Sequence, residues 1–332
     1  MLNLQIQNLI FQSYSSTMSI KDVVIRFFQL STRIILFASL LLSLATALVG
    51  SLSSYRSWQR RELRHVQKKG IVVETAVGQV EYQVIGQGPA VLYAHGTPGG
   101  FDQGLAFARM LGSEQCMLIS PSRPGYLRTP LATGASPAEQ ADLYTALLDT
   151  LDIEQASIIG FSGGGPSALQ FALRHPDRCR SLAMIGGIVQ RNCCYERYQA
   201  LPVWKRVPTQ IVEQLLVSDP FLYAVLPFAR LLPRGTAVAG MLCSGALYQL
   251  RKVGRENDLL QFAAIEDCPL EQVTAPTLVV HGISDEDVPF EDARLLERRM
   301  PNVRLIAVEG DHSAFYTHAA MIMPLLSKFL VS

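Results

Sequence analysis

The sequence predicts an α/β domain: a mostly parallel, eight-stranded sheet carrying a helical insertion and preceded by an apolar helix. Three observations point there. After Gly70, short apolar runs bounded by Gly and Pro alternate with helix-length patterns, the order that packs helices on both faces of a parallel sheet. The stretch from Val189 to Val273 reads as helices and loops and is too long for a connection, so it forms an inserted subdomain. Ahead of all this, Arg33 and Arg56 bracket 22 uncharged residues, Ile34 to Tyr55.

The elements follow in order. Ile71–Ala76 and Gln79–Ile85 flank Val77-Gly78 and read as a hairpin. Ala90–Ala94 is a continuous apolar run, as a strand buried on both faces requires. Comparable runs lie at Cys116–Ile119, Ala156–Gly160, Ser181–Ile185, Thr277–Val280 and Val303–Val308. Ser136–Leu151 opens with Ser-Pro-Ala-Glu, a capping-box spacing with proline in the first turn. Gly165–Arg174, Phe290–Arg299 and Ser313–Leu330 are the other clear helices. The expected division is an N-terminal segment at 1–33, an anchor at 34–55, a basic linker at 56–70, a core at 71–188 and 274–332, and a helical cap at 189–273.

Composition narrows the function. Among 332 residues, 49% are apolar and 17% charged, which excludes a disordered chain. Twenty-nine Lys and Arg against 28 Asp and Glu leave a formal net charge of +1, with no basic excess to hold nucleic acid. The six cysteines (116, 179, 193, 194, 243 and 268) show no C-x-x-C pair and no metal-ligand spacing, and read as mostly free thiols. Nothing in the sequence specifies an oligomeric state.

As a helix, Ile34–Tyr55 covers about 33 Å, enough for a hydrocarbon core. Apart from the terminal Tyr55, its polar side chains are only Ser and Thr, so it reads as a single-pass anchor in a lipid bilayer. Lys21, Arg26 and Arg33 precede it; Arg56, Arg60, Arg61, Arg64, Lys68 and Lys69 follow, which places the large domain on the cytoplasmic side. The rival reading is a signal peptide cleaved near Ala45-Thr46-Ala47, giving a secreted protein. The apolar run continues past that point and favours the anchor.

The chemistry gathers at strand ends. After Ala156–Gly160 comes Gly160-Phe161-Ser162-Gly163-Gly164, a G-x-S-x-G in a strand–turn–helix setting. Its glycines permit a sharp turn that lifts Ser162 toward a carbonyl at the positive end of the next helix. A phosphate-cradling loop would need a lysine that is not there. A serine nucleophile needs a base oriented by an acid. Two later strand ends supply candidates: His281-Gly282-Ile283-Ser284-Asp285-Glu286-Asp287-Val288-Pro289 and Glu309-Gly310-Asp311-His312-Ser313.

These motifs, in this order, make residues 71–330 resemble the α/β-hydrolase superfamily, in its serine-nucleophile branch. Its members carry G-x-S-x-G, then G-x-x-D-x-x-V-P, then a Gly-flanked histidine. The resemblance implies Ser162 as nucleophile, His312 as base and Asp285 as acid, because Val288-Pro289 sets the register; Asp287 is the fallback. His95-Gly96-Thr97-Pro98-Gly99-Gly100 is similar to the family's H-G-x-P loop, which implies an oxyanion site from the backbone amides of Thr97 and Gly163. His95, His175 and His281 then read as structural. Many relatives carry Asp-x-x-G after the fourth strand, where this chain has Ser122-Arg123-Pro124-Gly125-Tyr126.

Gly235–Leu250 and Pro220–Ala229 of the cap carry no charge, and with the anchor they favour a lipophilic acyl substrate. The expectation is a membrane-anchored serine esterase acting on a small-molecule ester through an acyl-enzyme, with no metal or organic cofactor. One alternative is an aminopeptidase, since 95–100 resembles the H-G-G-P-G-G loop of proline iminopeptidases with Thr97 in place of a glycine. It would need an acidic cluster in the cap, with Glu213, Asp219 and Glu256 as candidates. The other alternative is a non-catalytic protein on the same fold.

Overall fold

The computed structural model describes residues 20–112, 116–191, 202–204, 207, 215, 217–231 and 235–332. Cys193, Cys194 and Glu213 lie outside the described residues. The chain divides into two units, Met1–Ser57 and Trp58–Ser332.

A long helix, α1 (Ile20–Lys69), contributes its first part to the first unit. The membrane span expected over 34–55 is not supported: among the described residues, no helix is long and apolar enough to cross a membrane. The backbone there is helical, but the side chains of Ile34, Ile35, Leu36, Ala38, Leu41 and Ala45 lie outside the described residues. The described run therefore lacks much of the apolar content on which the expectation rests.

In the second unit, the stretch expected as a basic linker is helical and buries one face. The Trp58 ring lies tilted against Tyr223 with centroids 5.5 Å apart, and Val66 packs with Phe101 and Leu105. The sheet follows, in spatial order β1-β2-β4-β3-β5-β6-β7-β8. β1 (Ile71–Thr75) and β2 (Gly78–Ile85) form the expected antiparallel hairpin. From β4 onward all pairings are parallel: β3 (Ala90–Ala94), β4 (Met117–Pro121), β5 (Ala156–Phe161), β6 (Cys179–Ile185), β7 (Thr277–Gly282) and β8 (Val303–Val308).

The apolar runs are continuous because both faces of the central strands are covered. Leu92, Ile158 and Val279 face a core layer closed by α3 (Pro137–Thr150), α4 (Gly165–Arg174) and α8 (Phe290–Arg299). Their neighbours Tyr93, Ile159 and Val280 face the opposite layer, closed by α2 (Phe101–Leu111) and α10 (Ala319–Val331). Between β6 and β7 the described part of the insertion contains α5 (Asp219–Ala229), α6 (Gly235–Cys243) and α7 (Lys252–Ala263).

Register brings the strand ends to one edge. Ala94 lies opposite Gly160, Phe161 opposite Ile185, and Gly282 opposite Val308. The loops that begin at residues 95, 162, 283 and 309 therefore leave the sheet side by side.

Two helices differ from expectation. Ser313–Leu330 is interrupted: α9 (Ala314–Thr317) ends before His318, where Thr317 Oγ1 donates to the Ala314 carbonyl at 3.0 Å and His318 Nδ1 lies 3.1 Å from the same oxygen. Side chains that bond locally to the backbone compete with helix propagation. Helix α2 carries no side-chain cap to announce it, and its Gly104 weakens a helical reading, yet a Cβ there would stand 2.2 Å from Ser120 Oγ. Helix α3 matches its signature: Ser136 Oγ accepts the Glu139 amide and Glu139 returns to the Ser136 amide at 2.8 Å. Ser136→Ala should lower stability by about 1 kcal/mol, measured by urea unfolding at constant m-value; an unchanged midpoint would show that the box contributes nothing.

Candidate active site

Ser162 sits where β5 turns into a single 3-10 turn before α4. Its φ is +50°, a left-handed conformation that costs a non-glycine residue about 1–3 kcal/mol and persists only when its surroundings enforce it. The enforcement is visible in the flanks. A Cβ on Gly164 would lie 2.1 Å from the Ala94 carbonyl oxygen, so only glycine lets the turn pass this close to β3. The turn presents Ser162 Oγ 2.9 Å from His312 Nε2.

His312 leaves β8 through Glu309-Gly310-Asp311, and its Nδ1 lies 2.7 Å from Asp285 Oδ2. Asp285 follows β7 and is itself fixed: its Oδ1 accepts the amides of Asp287 at 3.0 Å and Val288 at 2.9 Å. These two amides are why the Val-Pro register selects Asp285. Asp287 is exposed, and its ligand atom falls near those of Asp285 and His312, all within 4.8 Å of one another. A cation there would compete with the two amides and the imidazole that Asp285 already holds, so the donor set suits an oriented imidazole better than a metal.

Electrostatics follow this geometry. Burial opposes ionisation of Asp285, but hydrogen bonds from His281 and His312, the His312 charge and the Val288 amide outweigh it. They hold the carboxyl well below the usual carboxylate range. Burial likewise disfavours the His312 imidazolium, yet the bond to Asp285 and its charge, with smaller help from Asp287 and Asp311, lift His312 above the ordinary value of 6.5.

The loop 95–100 crosses in front of Ser162. A Cβ on Gly163 would meet Thr97 Oγ1 at 2.2 Å, so Thr97 and Gly163 face each other directly. His95 is buried and structural: its Nδ1 lies 2.8 Å from the Gly96 carbonyl, and its Nε2 accepts the Arg123 amide at 2.8 Å. Burial, reinforced by the Arg123 charge, holds its pKa well below 6.5. His281 Nε2 sits 2.9 Å from the Val288 carbonyl, and His175 pairs with Asp142 at 2.8 Å. Phe161 and Gly160 complete the turn; Phe161 lies 6.3 Å from the His312 ring. A cavity of about 640 Å³ opens over these groups, lined by Phe161, Ser162, His312 and Tyr316 together with the exposed Glu286, Asp287 and Asp311.

The sequence reading missed a buried cluster beside this cavity. Arg123 forms a two-pronged ion pair with Asp258 of α7, with N–O distances of 2.7 and 2.6 Å. Tyr126 donates to the same carboxylate at 2.5 Å, as does Thr97 Oγ1. Asp258 belongs to no motif and is 135 residues from Arg123; only the departure at Ser122–Tyr126 hinted that this loop is held differently.

Comparison with known proteins agrees with this architecture. The family model described as alpha/beta hydrolase fold matches residues 89–220. A solved alpha/beta hydrolase fold protein from Nakamurella multipartita is 33% identical, covering 79% of this chain and 99% of its own, with a TM-score of 0.65. A poly(3-hydroxyalkanoate) depolymerase of Ectopseudomonas oleovorans is 30% identical over 196 residues, 57% of this chain and 66% of that protein. A pimeloyl-[acyl-carrier protein] methyl ester esterase of Aeromonas hydrophila is 26% identical over 273 residues, 76% and 99% respectively. With the sheet order and the strand-end loops above, the chain belongs to the α/β-hydrolase family.

The His312 imidazole should titrate above the ordinary histidine value in ring-proton NMR. In Asp285→Asn the raising contribution is removed while burial remains, so the midpoint should move to lower pH. An unmoved midpoint would mean that Asp285 does not govern His312.

Proposed function

We propose that the protein is a serine esterase that cleaves a neutral, lipophilic acyl ester. The observation that carries this is the unbroken line Ser162 Oγ–His312 Nε2 at 2.9 Å and His312 Nδ1–Asp285 Oδ2 at 2.7 Å, opening on the cavity. Ser162 attacks the ester carbonyl as His312 Nε2 takes its proton, and Asp285 stabilises the imidazolium so formed. The amides of Thr97 and Gly163 receive the oxyanion. His312 then returns the proton to the departing alcohol. Water, activated by the same imidazole, releases the acid and regenerates Ser162.

The cavity bears on the charge of the substrate. Most of its lining side chains are polar, Phe161 and Tyr316 supply aromatic surface, and the exposed Glu286, Asp287 and Asp311 would repel a substrate carrying its own carboxylate. The lipophilic acyl part rests on the uncharged cap segments Pro220–Ala229 and Gly235–Leu250. The name of the methyl ester esterase points toward an ester bond. The described acids on which the aminopeptidase alternative rests are both engaged. Asp219 accepts from Gln59 and the Tyr248 amide, and Glu256 pairs with Lys252.

Wild-type protein should react with a fluorophosphonate probe and hydrolyse p-nitrophenyl esters. Ser162→Ala should lose the labelling, and Ser162→Ala or His312→Ala should each lower kcat by about 10⁴-fold or more. Turnover that survives in folded Ser162→Ala protein would sink the reading.

Attachment to a lipid bilayer through 34–55, with the hydrolase domain on the cytoplasmic side, is also proposed, on the strength of the sequence. The run is uncharged, it lies within one continuous helix, and its described side chains Phe37, Leu42, Leu48 and Val49 are all exposed. Six basic residues follow it and favour the cytoplasmic side. Full-length protein synthesised with vesicles should float with them and resist carbonate extraction. Leu42→Lys combined with Leu48→Lys should abolish this, each charge costing about 3 kcal/mol at mid-span. Wild-type protein that stays in the aqueous fraction would remove the anchor.

A further inference from the structure

Two charged side chains borne by the cap are buried against the loop that faces Ser162. Arg251 precedes α7 and is fully buried; its Nη1 donates to the Gly99 carbonyl at 2.6 Å, its Nη2 to Asp102 at 2.7 Å and its Nε to the Ala246 carbonyl at 2.7 Å. Asp258 lies two turns further along and is 2% exposed. Arg251 stands at the N-cap of α7 and Asp258 inside the helix, so α7 meets the loop at both Gly99 and Thr97. The helix is pressed against the neighbouring loop as well. Gly254 donates its amide to the Gly125 carbonyl at 2.9 Å, and a Cβ on Gly254 would overlap the Tyr126 ring at 2.2 Å.

The contacts of Thr97 are specific. Its hydroxyl donates to Asp258 Oδ2 and accepts from Arg123 Nη2 at 3.0 Å. Both of its hydrogen-bonding functions are therefore spent on one buried, charge-compensated pair, which fixes the side-chain rotamer. On either side, Gln103 Oε1 accepts the Gly96 amide at 2.6 Å, and Arg251 holds Gly99. The residue in the middle, Thr97, is the one whose side chain faces Gly163 and whose amide the esterase reading assigns to the oxyanion. At this position the similar loop of proline iminopeptidases has glycine, which offers nothing for a carboxylate to grip.

We propose that Asp258 is a positioning residue for the oxyanion site: through the Thr97 hydroxyl, the cap carboxylate sets the direction of the Thr97 amide. This rests on the esterase reading. It makes the base of the cap part of the floor of the active site, with α7 clamped to the 95–100 loop. Because Arg123 neutralises Asp258 within the cluster, the carboxylate orients the loop without placing an uncompensated negative charge beside a developing oxyanion.

Removing Asp258 outright would strand a buried Arg123 charge and endanger folding, so the informative variant is Thr97→Val, which keeps the shape and the Arg123–Asp258 pair. Its kcat for a p-nitrophenyl ester should fall about tenfold, less than the loss of a whole oxyanion donor, while KM stays within twofold. Thr97→Ser, which keeps the hydroxyl, should retain most of the rate. In the double variant Thr97→Val, Asp258→Asn, kcat should fall no further than in the more impaired single variant. Hydrogen exchange followed by mass spectrometry should speed up over 95–100 in Thr97→Val and not over the central strands. A wild-type rate with unchanged exchange in Thr97→Val, or single-variant losses that multiply in the double variant, would overturn the proposal. Failure of the esterase reading would show separately, as turnover unaffected by Ser162→Ala, and the exchange readout would still decide whether the hydroxyl holds the loop.

Discussion

The left-handed turn at Ser162 is the constraint around which this molecule is arranged. A serine held at φ +50° between β5 and α4 is stable only if the chain on every side leaves it no alternative. Glycine at 164 lets the turn approach the end of β3 so closely that a methyl group would strike the Ala94 carbonyl. The parallel register then brings the ends of β7 and β8 to the same edge, where Asp285 lies within hydrogen-bonding distance of His312, and His312 of Ser162. The strain at one residue is offset by burial across the whole sheet, which is why the site sits on strand ends rather than on free loops.

A second level of order comes from the buried ion pair of Arg123 and Asp258. It joins three segments far apart in sequence: the loop after β3, the loop after β4 and the cap helix α7. An ion pair sealed from water contributes little net stability, but it is unforgiving of geometry, because a misplaced partner leaves a charge uncompensated. Such a pair suits a place where position matters more than strength. The His95 imidazole extends the same logic, linking the Gly96 carbonyl to the Arg123 amide while burial keeps it neutral.

Much of the fold was legible in the residues because parallel strands covered on both faces must be apolar throughout. Ala90–Ala94 and Val303–Val308 match their expected bounds, and other strands shift by one or two residues. Helix α3 was announced by its capping box, whereas α2 had no cap, and its Gly104, placed for close approach to Ser120, disguised it. The break at His318 was hidden because Thr317 and His318 bond back to the Ala314 carbonyl, a choice that residue periodicity does not record.

The same division holds in the site. Ser162, Asp285 and His312 were readable because each lies in a short motif whose glycines, proline and spacing are needed by the local backbone. Their approach to within 2.9 and 2.7 Å is a property of strand register and sheet order, which bring together residues 150 and 27 positions apart. Asp258 shows the limit most plainly. A lone aspartate in a cap helix carries no pattern, and what it binds depends entirely on where α7 packs. The sequence by itself determined which side chains are the candidates for chemistry, since a nucleophile, a base and an acid would each impose local backbone demands. The tertiary structure alone decided how they are held, because burial and ion pairing across distant segments exist only once the chain has closed on itself.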